Sequence, residues 1–150
     1  MSVVLAFGDM HEPFGKRDSL DFLADLKRKW KPDVVVCLGD EVDYHTLSIH
    51  PKEPDAMGTN EERRLALRRM KQFYKIFTDV QCCISNHTAR PYRQGAAVGI
   101  PKDFFKDYRE ILEAPRGWWW EPEFFIDGVR YFHGDKYSGN TPHLTAMTKT

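Results

Sequence analysis

Three short, mainly apolar runs stand out along the chain, at residues 3–7, 34–38 and 80–84. Each lacks the alternation of a strand wetted on one face, so each predicts a buried strand. Between the first two, Asp18 and Ser19 precede Leu20, Leu23 and Leu26, which repeat at helical spacing. That pattern predicts a capped helix running to about Trp30, broken by Lys31-Pro32-Asp33. Asn60 predicts the cap of a long second helix over 61–77, with Ala66, Met70, Phe73 and Phe77 along one stripe. Residues 95–101 read as a loop, and 103–113 as an amphipathic helix carrying Phe104, Phe105, Tyr108, Ile111 and Leu112. Two further runs, 124–126 and 129–133, flank Asp127-Gly128 and predict a β-hairpin with a tight turn. Strand, helix, strand with both strands apolar throughout predicts an α/β fold whose parallel sheet is covered on both faces.

The length of 150 residues predicts one domain, 1–150, able to bury a core. Lys plus Arg equals Asp plus Glu at 22 each, so the whole molecule exerts no net pull on nucleic acid or anionic lipid. Any basic surface must therefore be local. No apolar run approaches a membrane span, so no membrane partner is expected. Cys37, Cys82 and Cys83 are odd in number and lack ligand spacing; they read as buried thiols of a reducing compartment. With no basic leader before the apolar start, the expected location is the cytoplasm.

The polar residues that follow the strands change the picture. The first run leads into Gly8-Asp9-Met10-His11, the second into Gly39-Asp40-Glu41-Val42-Asp43, and the third into Ser85-Asn86-His87. The hairpin closes on His133-Gly134-Asp135. In a parallel sheet the carboxyl ends of the strands share one edge, where open α/β folds place their sites. One such pair is a common turn; ligand-type side chains after four successive runs are not explained by turns. In extended backbone Asp9 and His11 would point the same way. Carboxylate, imidazole and amide together make a mixed O/N donor set suited to Mn, Fe, Ni or Zn rather than Ca or Mg.

On these residues the chain resembles the calcineurin-like metallophosphoesterases, the superfamily of purple acid phosphatases and protein phosphatases. Gly8 to His11 match its Gly-Asp-x-His motif and Gly39 to Asp43 its Gly-Asp-x-x-Asp motif. Asn86-His87 match the chemical positions of Gly-Asn-His-Asp/Glu, and His133-Gly134 fit the fourth. The resemblance implies a layered βαβ sandwich and a phosphoesterase using two divalent transition-metal ions (Mn, Fe, Ni or Zn). Its reaction would be attack by metal-bound hydroxide on a phosphomonoester or phosphodiester, with a nucleotide or nucleic acid among the candidate substrates. By position, Asp9 and His11 would hold the first ion, Asp40 would bridge both, and Asn86 and His133 would hold the second. His87 would be catalytic, giving a proton to the leaving oxygen or stabilising phosphoryl charge. Asp43 and Asp135 would support ligands rather than bind.

Two departures sit in the third motif: Ser85 replaces glycine, and Thr88 replaces the acid that would orient His87. The last motif, Gly-His-x-His, is absent, and His143 stands at what reads as a helix start. The resemblance therefore implies a sandwich lacking its C-terminal strands, with a partner chain or a C-terminal remainder completing the site. The alternative reading is a non-catalytic or truncated subunit of this fold that binds a partner chain through an exposed edge at Trp118–Trp120. Arg90 and Arg93 are candidate substrate contacts, and His45 and His50 weaker ones. The cations of 61–71 read as a solvated helix face or a phosphate-contacting surface.

Overall fold

The computed structural model describes residues 1–51 and 54–135. Strands β1 (Val4–Phe7), β2 (Val34–Cys37), β3 (Val80–Cys83) and β4 (Trp118–Glu121) form one sheet, all parallel, in the order 1-2-3-4. Helix α1 (Ser19–Trp30) connects β1 to β2, and α2 (Thr59–Ile76) connects β2 to β3. Right-handed crossovers that all step in one direction place their helices on one face of the sheet. There Phe7, Val35, Cys37, Val80, Cys82 and Trp118 pack with Leu20, Leu23, Met70, Phe73 and Phe77 in a single core. Strands β5 (Glu123–Ile126) and β6 (Val129–Phe132) form an antiparallel hairpin around Asp127-Gly128, as the pattern predicts. The other sheet face is covered unevenly: Val36 and Cys83 are fully buried, whereas Trp119 is 42% exposed and Ala6 is exposed. This is the mixed α/β architecture expected, with the parallel sheet extended by one strand.

That extra strand corrects the reading of the tryptophan run as an exposed edge. Trp118 is fully buried, and its indole N–H donates to the Phe77 carbonyl at 2.7 Å. Trp120, half-buried, donates to the Glu41 carboxylate at 2.9 Å, and of the three only Trp119 is exposed.

Three boundaries also differ. Helix α2 starts at Thr59 after an extended Gly58, with Asn60 inside its first turn and no side-chain cap. Residues 90–97, partly read as loop, form α3 (Arg90–Ala97), with Pro91 in the first turn where its missing N–H costs nothing. The single helix over 103–113 is instead a 3₁₀ turn at Lys102–Phe104 and the short helix α4 (Tyr108–Ile111). Extended backbone at Phe105 and Asp107 interrupts it, and Asp107 caps α4 by accepting from Glu110 N. The interruption lets Phe105 lie on α3: a Cβ on Gly95 would come within 2.2 Å of its ring.

All three cysteines are free and fully buried, and burial pushes the Cys83 thiol up to about 12. Thiols held protonated and covered are unreactive. Iodoacetamide should therefore modify none of them in the native protein and all three after denaturation. Fast labelling of the native state would contradict this packing. No helix among the described residues is long and apolar enough to cross a membrane.

Candidate metal centre

The segments after β1 and β2 continue side by side beyond the sheet. Asp9 N donates to Gly39 O (3.1 Å), His11 N to Asp40 O (2.8 Å), Glu12 N to Glu41 O (3.1 Å) and Asp43 N to Glu12 O (3.0 Å). Zipped in this way, the two motifs present their side chains at one place. The backbone there is not extended: φ is 54° at Asp9, 46° at His11 and 54° at Asp40. These left-handed conformations cost energy in non-glycine residues and are tolerated where surrounding contacts over-determine them. They also remove the two-residue alternation expected to aim Asp9 and His11 together.

The donor atoms instead assemble in two groups that share Asp40. Asp9, Asp40 and His133 form one, and His11, Asp40 and His87 the other, with the donor atoms of each group within 4.8 Å of one another. Asn86 joins the first group, its Oδ1 2.8 Å from His133 Nε2. The sequence-predicted ligands Asp9, His11, Asp40, Asn86 and His133 are thus brought together, and His87 stands among them.

The histidines are oriented from behind. His133 Nδ1 lies 2.8 Å from the Leu38 carbonyl, and His11 Nδ1 lies 2.8 Å from Asp43 Oδ1. His87 Nδ1 lies 2.7 Å from the Asp43 carbonyl and 3.0 Å from Asp43 Oδ1. These partners accept, which places the proton of a neutral His11 or His87 ring on Nδ1, whereas His133 meets an acceptor at each nitrogen, Leu38 O and Asn86 Oδ1. The three Nε2 atoms then converge on the Asp40 carboxylate at 3.5 Å (His11), 3.5 Å (His133) and 4.0 Å (His87), the last also accepting from Arg90 at 3.0 Å. Lone pairs facing a carboxylate repel unless a cation lies between them. Histidines that donate from one nitrogen to a carboxylate or carbonyl while offering the other inward are the usual support of metal ligands. The donor set therefore fits divalent cations.

Beneath the site runs a buried chain of polar groups that motif reading missed. Asp40 N donates to Ser85 Oγ (3.0 Å), Ser85 Oγ meets Thr88 Oγ1 (2.7 Å), and Thr88 Oγ1 donates to Glu41 Oε2 (3.0 Å). Since the Thr88 proton goes to Glu41, the Ser85 proton goes to Thr88, and all donors run one way. Trp120 supplies Glu41 with a further N–H. Burial pushes the Glu41 carboxyl up despite these donors. The two departures from the family motif thus act together: Ser85 holds the Asp40 turn, and Thr88 anchors Ser85 to the Glu41 carboxylate in the segment after β2. The task expected of an acid at position 88, orienting His87, falls to Asp43. A charged residue at a site flanked by a buried strand was the one available signal.

The remaining candidates separate. Arg90 is half-buried; its guanidinium donates to the carbonyls of Asp43 (2.6 Å) and Tyr44 (3.2 Å) and to His87 Nε2 (3.0 Å). Arg93 is exposed and lines a cavity of about 440 Å³ together with Asn86, His133 and Asp135. His45 lies 3.9 Å from Asp43 Oδ2, while His50 is exposed away from these groups. His143 and the chain after residue 135 lie outside the described residues.

A family model described as calcineurin-like phosphoesterase matches residues 2–144. No curated protein and no solved structure matches the chain. The ligand-type residues that carried the resemblance lie inside that match and meet at the carboxyl edge of the sheet, and the chain belongs to the calcineurin-like phosphoesterase family.

Proposed function

We propose that this chain is a dinuclear metal-dependent phosphoesterase acting on a phosphomonoester or phosphodiester. The observation that carries the reading is the pair of donor groups sharing Asp40. Asp9, Asn86 and His133 would hold one cation and His11 the other, with Asp40 between them and His87 beside the second. The mixed O/N donors favour Mn, Fe, Ni or Zn. Bound there, such cations supply Lewis-acid polarisation of the phosphoryl oxygens and activation of water near neutral pH.

The protein's own groups position and neutralise. Arg93, in the cavity beside Asn86 and His133, meets the non-bridging phosphoryl oxygens. Arg90 starts on His87 Nε2. A guanidinium has no lone pair, so Nε2 has no proton to give while that contact lasts. Transfer of the Arg90 guanidinium onto the substrate phosphate would free Nε2 to take up a proton from solvent water and pass that proton to the leaving oxygen. Asp43 keeps the ring aligned throughout through Nδ1.

The test is hydrolysis of an aryl phosphate monoester and a bis-aryl phosphodiester by purified chain, stripped with chelator and reloaded with Mn, Fe, Ni or Zn. Turnover of at least one ester that is lost on stripping and restored by metal is expected. A folded protein inert towards both esters with every metal would overturn the proposal.

A further inference from the structure

The outer face of α2 carries a stripe of cations that the metal centre does not use. Arg64, Arg68, Lys71 and Lys75 follow at spacings of four, three and four, so they line one side of the helix opposite Ala66, Met70 and Phe73. The stripe is about 16 Å long at the helical rise. All four are exposed and border a groove of about 550 Å³. Glu113 answers Lys71 at 2.7 Å and Arg63 at 3.5 Å. Arg64, Arg68 and Lys75 have no acidic partner among the described residues, although Glu61 is exposed on the same helix. In a chain whose positive and negative residues balance, this is a local field of one sign.

A second groove adjoins the first, with Arg63 in the walls of both. It is aromatic where the other is basic: Tyr44, Phe104 and Phe105 line it, and Phe104 is 81% exposed. Tyr44 is 6% exposed, and its phenol oxygen is buried with no hydrogen-bond partner. Pro91 lines this groove, and the neighbouring Arg90 holds the Tyr44 carbonyl and touches His87, so the groove lies beside the metal centre. Helix α2 runs from the carboxyl edge of the sheet towards its far edge, so the stripe leads away from the centre.

A basic track continuous with an exposed aromatic surface is the combination that binds unpaired nucleotides: phosphates follow the cations, and bases stack on rings regardless of sequence. A duplex keeps its bases stacked and would leave Phe104 unused. We infer that α2 and the Phe104 groove form a docking surface for single-stranded nucleic acid, with the strand passing from the stripe over Phe104 to the metal centre. The inference names the substrate class of the site proposed above and rests on that reading for catalysis, but not for binding.

The experiment measures anisotropy of a labelled oligodeoxythymidylate of about 20 nucleotides on the full chain. Salt is varied over about 50 to 200 mM. Three proteins are compared: wild type, Phe104→Ala, and the triple variant Arg64→Gln/Arg68→Gln/Lys75→Gln. Wild type should bind with a steep loss of affinity as salt rises. The triple variant should lower the slope of log affinity on log salt by about 2, since each single-strand phosphate contact contributes about 0.7. Phe104→Ala should weaken binding about fivefold or more with the slope kept. All the replaced side chains are exposed, and unchanged thermal melting would confirm that the variants fold. Salt-independent binding, equal binding by the triple variant, or tighter binding of a duplex of the same length would overturn the inference. Small-ester turnover is read in parallel: its absence with strand binding intact sinks the proposed catalysis alone, and its persistence without strand binding sinks this inference alone.

Discussion

Replacing Asp40 by Asn should, on the dinuclear mechanism proposed above, reduce metal-dependent ester hydrolysis by about a thousandfold or more, because Asp40 would hold both ions. Asp40 is 5% exposed and is the only residue common to both donor groups among the described residues. Its carboxylate offers an anionic oxygen to each group at once. An amide of the same shape offers one neutral oxygen and turns two N–H donors towards the others. Metal should consequently bind more weakly and with altered stoichiometry, as calorimetry on stripped protein would show. The fold should survive, because the tie between the Asp40 turn and Ser85 runs through the backbone N–H, which the substitution keeps. Turnover within tenfold of wild type would refute the assignment of Asp40.

The contrast between this variant and the sequence shows where reading by pattern succeeds. The first three strands were legible because their runs are almost wholly apolar, although the second sheet face is covered only in part, and the candidate ligands because four such runs each ended in metal-binding chemistry. The grouping of those ligands was not legible. It depends on positive φ at Asp9, His11 and Asp40, and nothing in Asp-Met-His announces a left-handed backbone. The tryptophan run misled for a related reason. Three bulky residues between turn signals fit an exposed edge as well as a strand, and only the place beside β3 decides. The 103–113 segment has the periodicity of one helix, but Phe105 is committed to the backbone of Gly95, and tertiary packing outweighs local propensity. The Ser85–Thr88–Glu41 chain was readable only as departures, since each residue makes sense through the other two.

Gly39→Ala should damage the fold and the metal centre together. Gly39 has φ of 100°, outside the range an L residue adopts comfortably. An added Cβ would also sit 2.6 Å from Ser85 Cβ, 2.9 Å from the Cys83 carbonyl and 3.0 Å from His133 Nδ1. Backbone strain and overpacking each cost about 1–3 kcal/mol, so the combined destabilisation should be about 3 kcal/mol or more, read by denaturant unfolding. Because His133 and the Asp40 turn are pushed directly, metal affinity should fall as well, even under conditions where the variant is folded. A second substitution separates the causes. Ser85→Gly removes the nearest clashing atom, so in the double variant part of the cost of Gly39→Ala should be recovered. Recovery should be incomplete, since the Cys83 carbonyl, the positive φ and the lost Ser85 hydroxyl remain. Full additivity of the two changes would show that Ser85 is not what Gly39 makes room for. The close approach of these two turns would then have to be explained by the backbone alone.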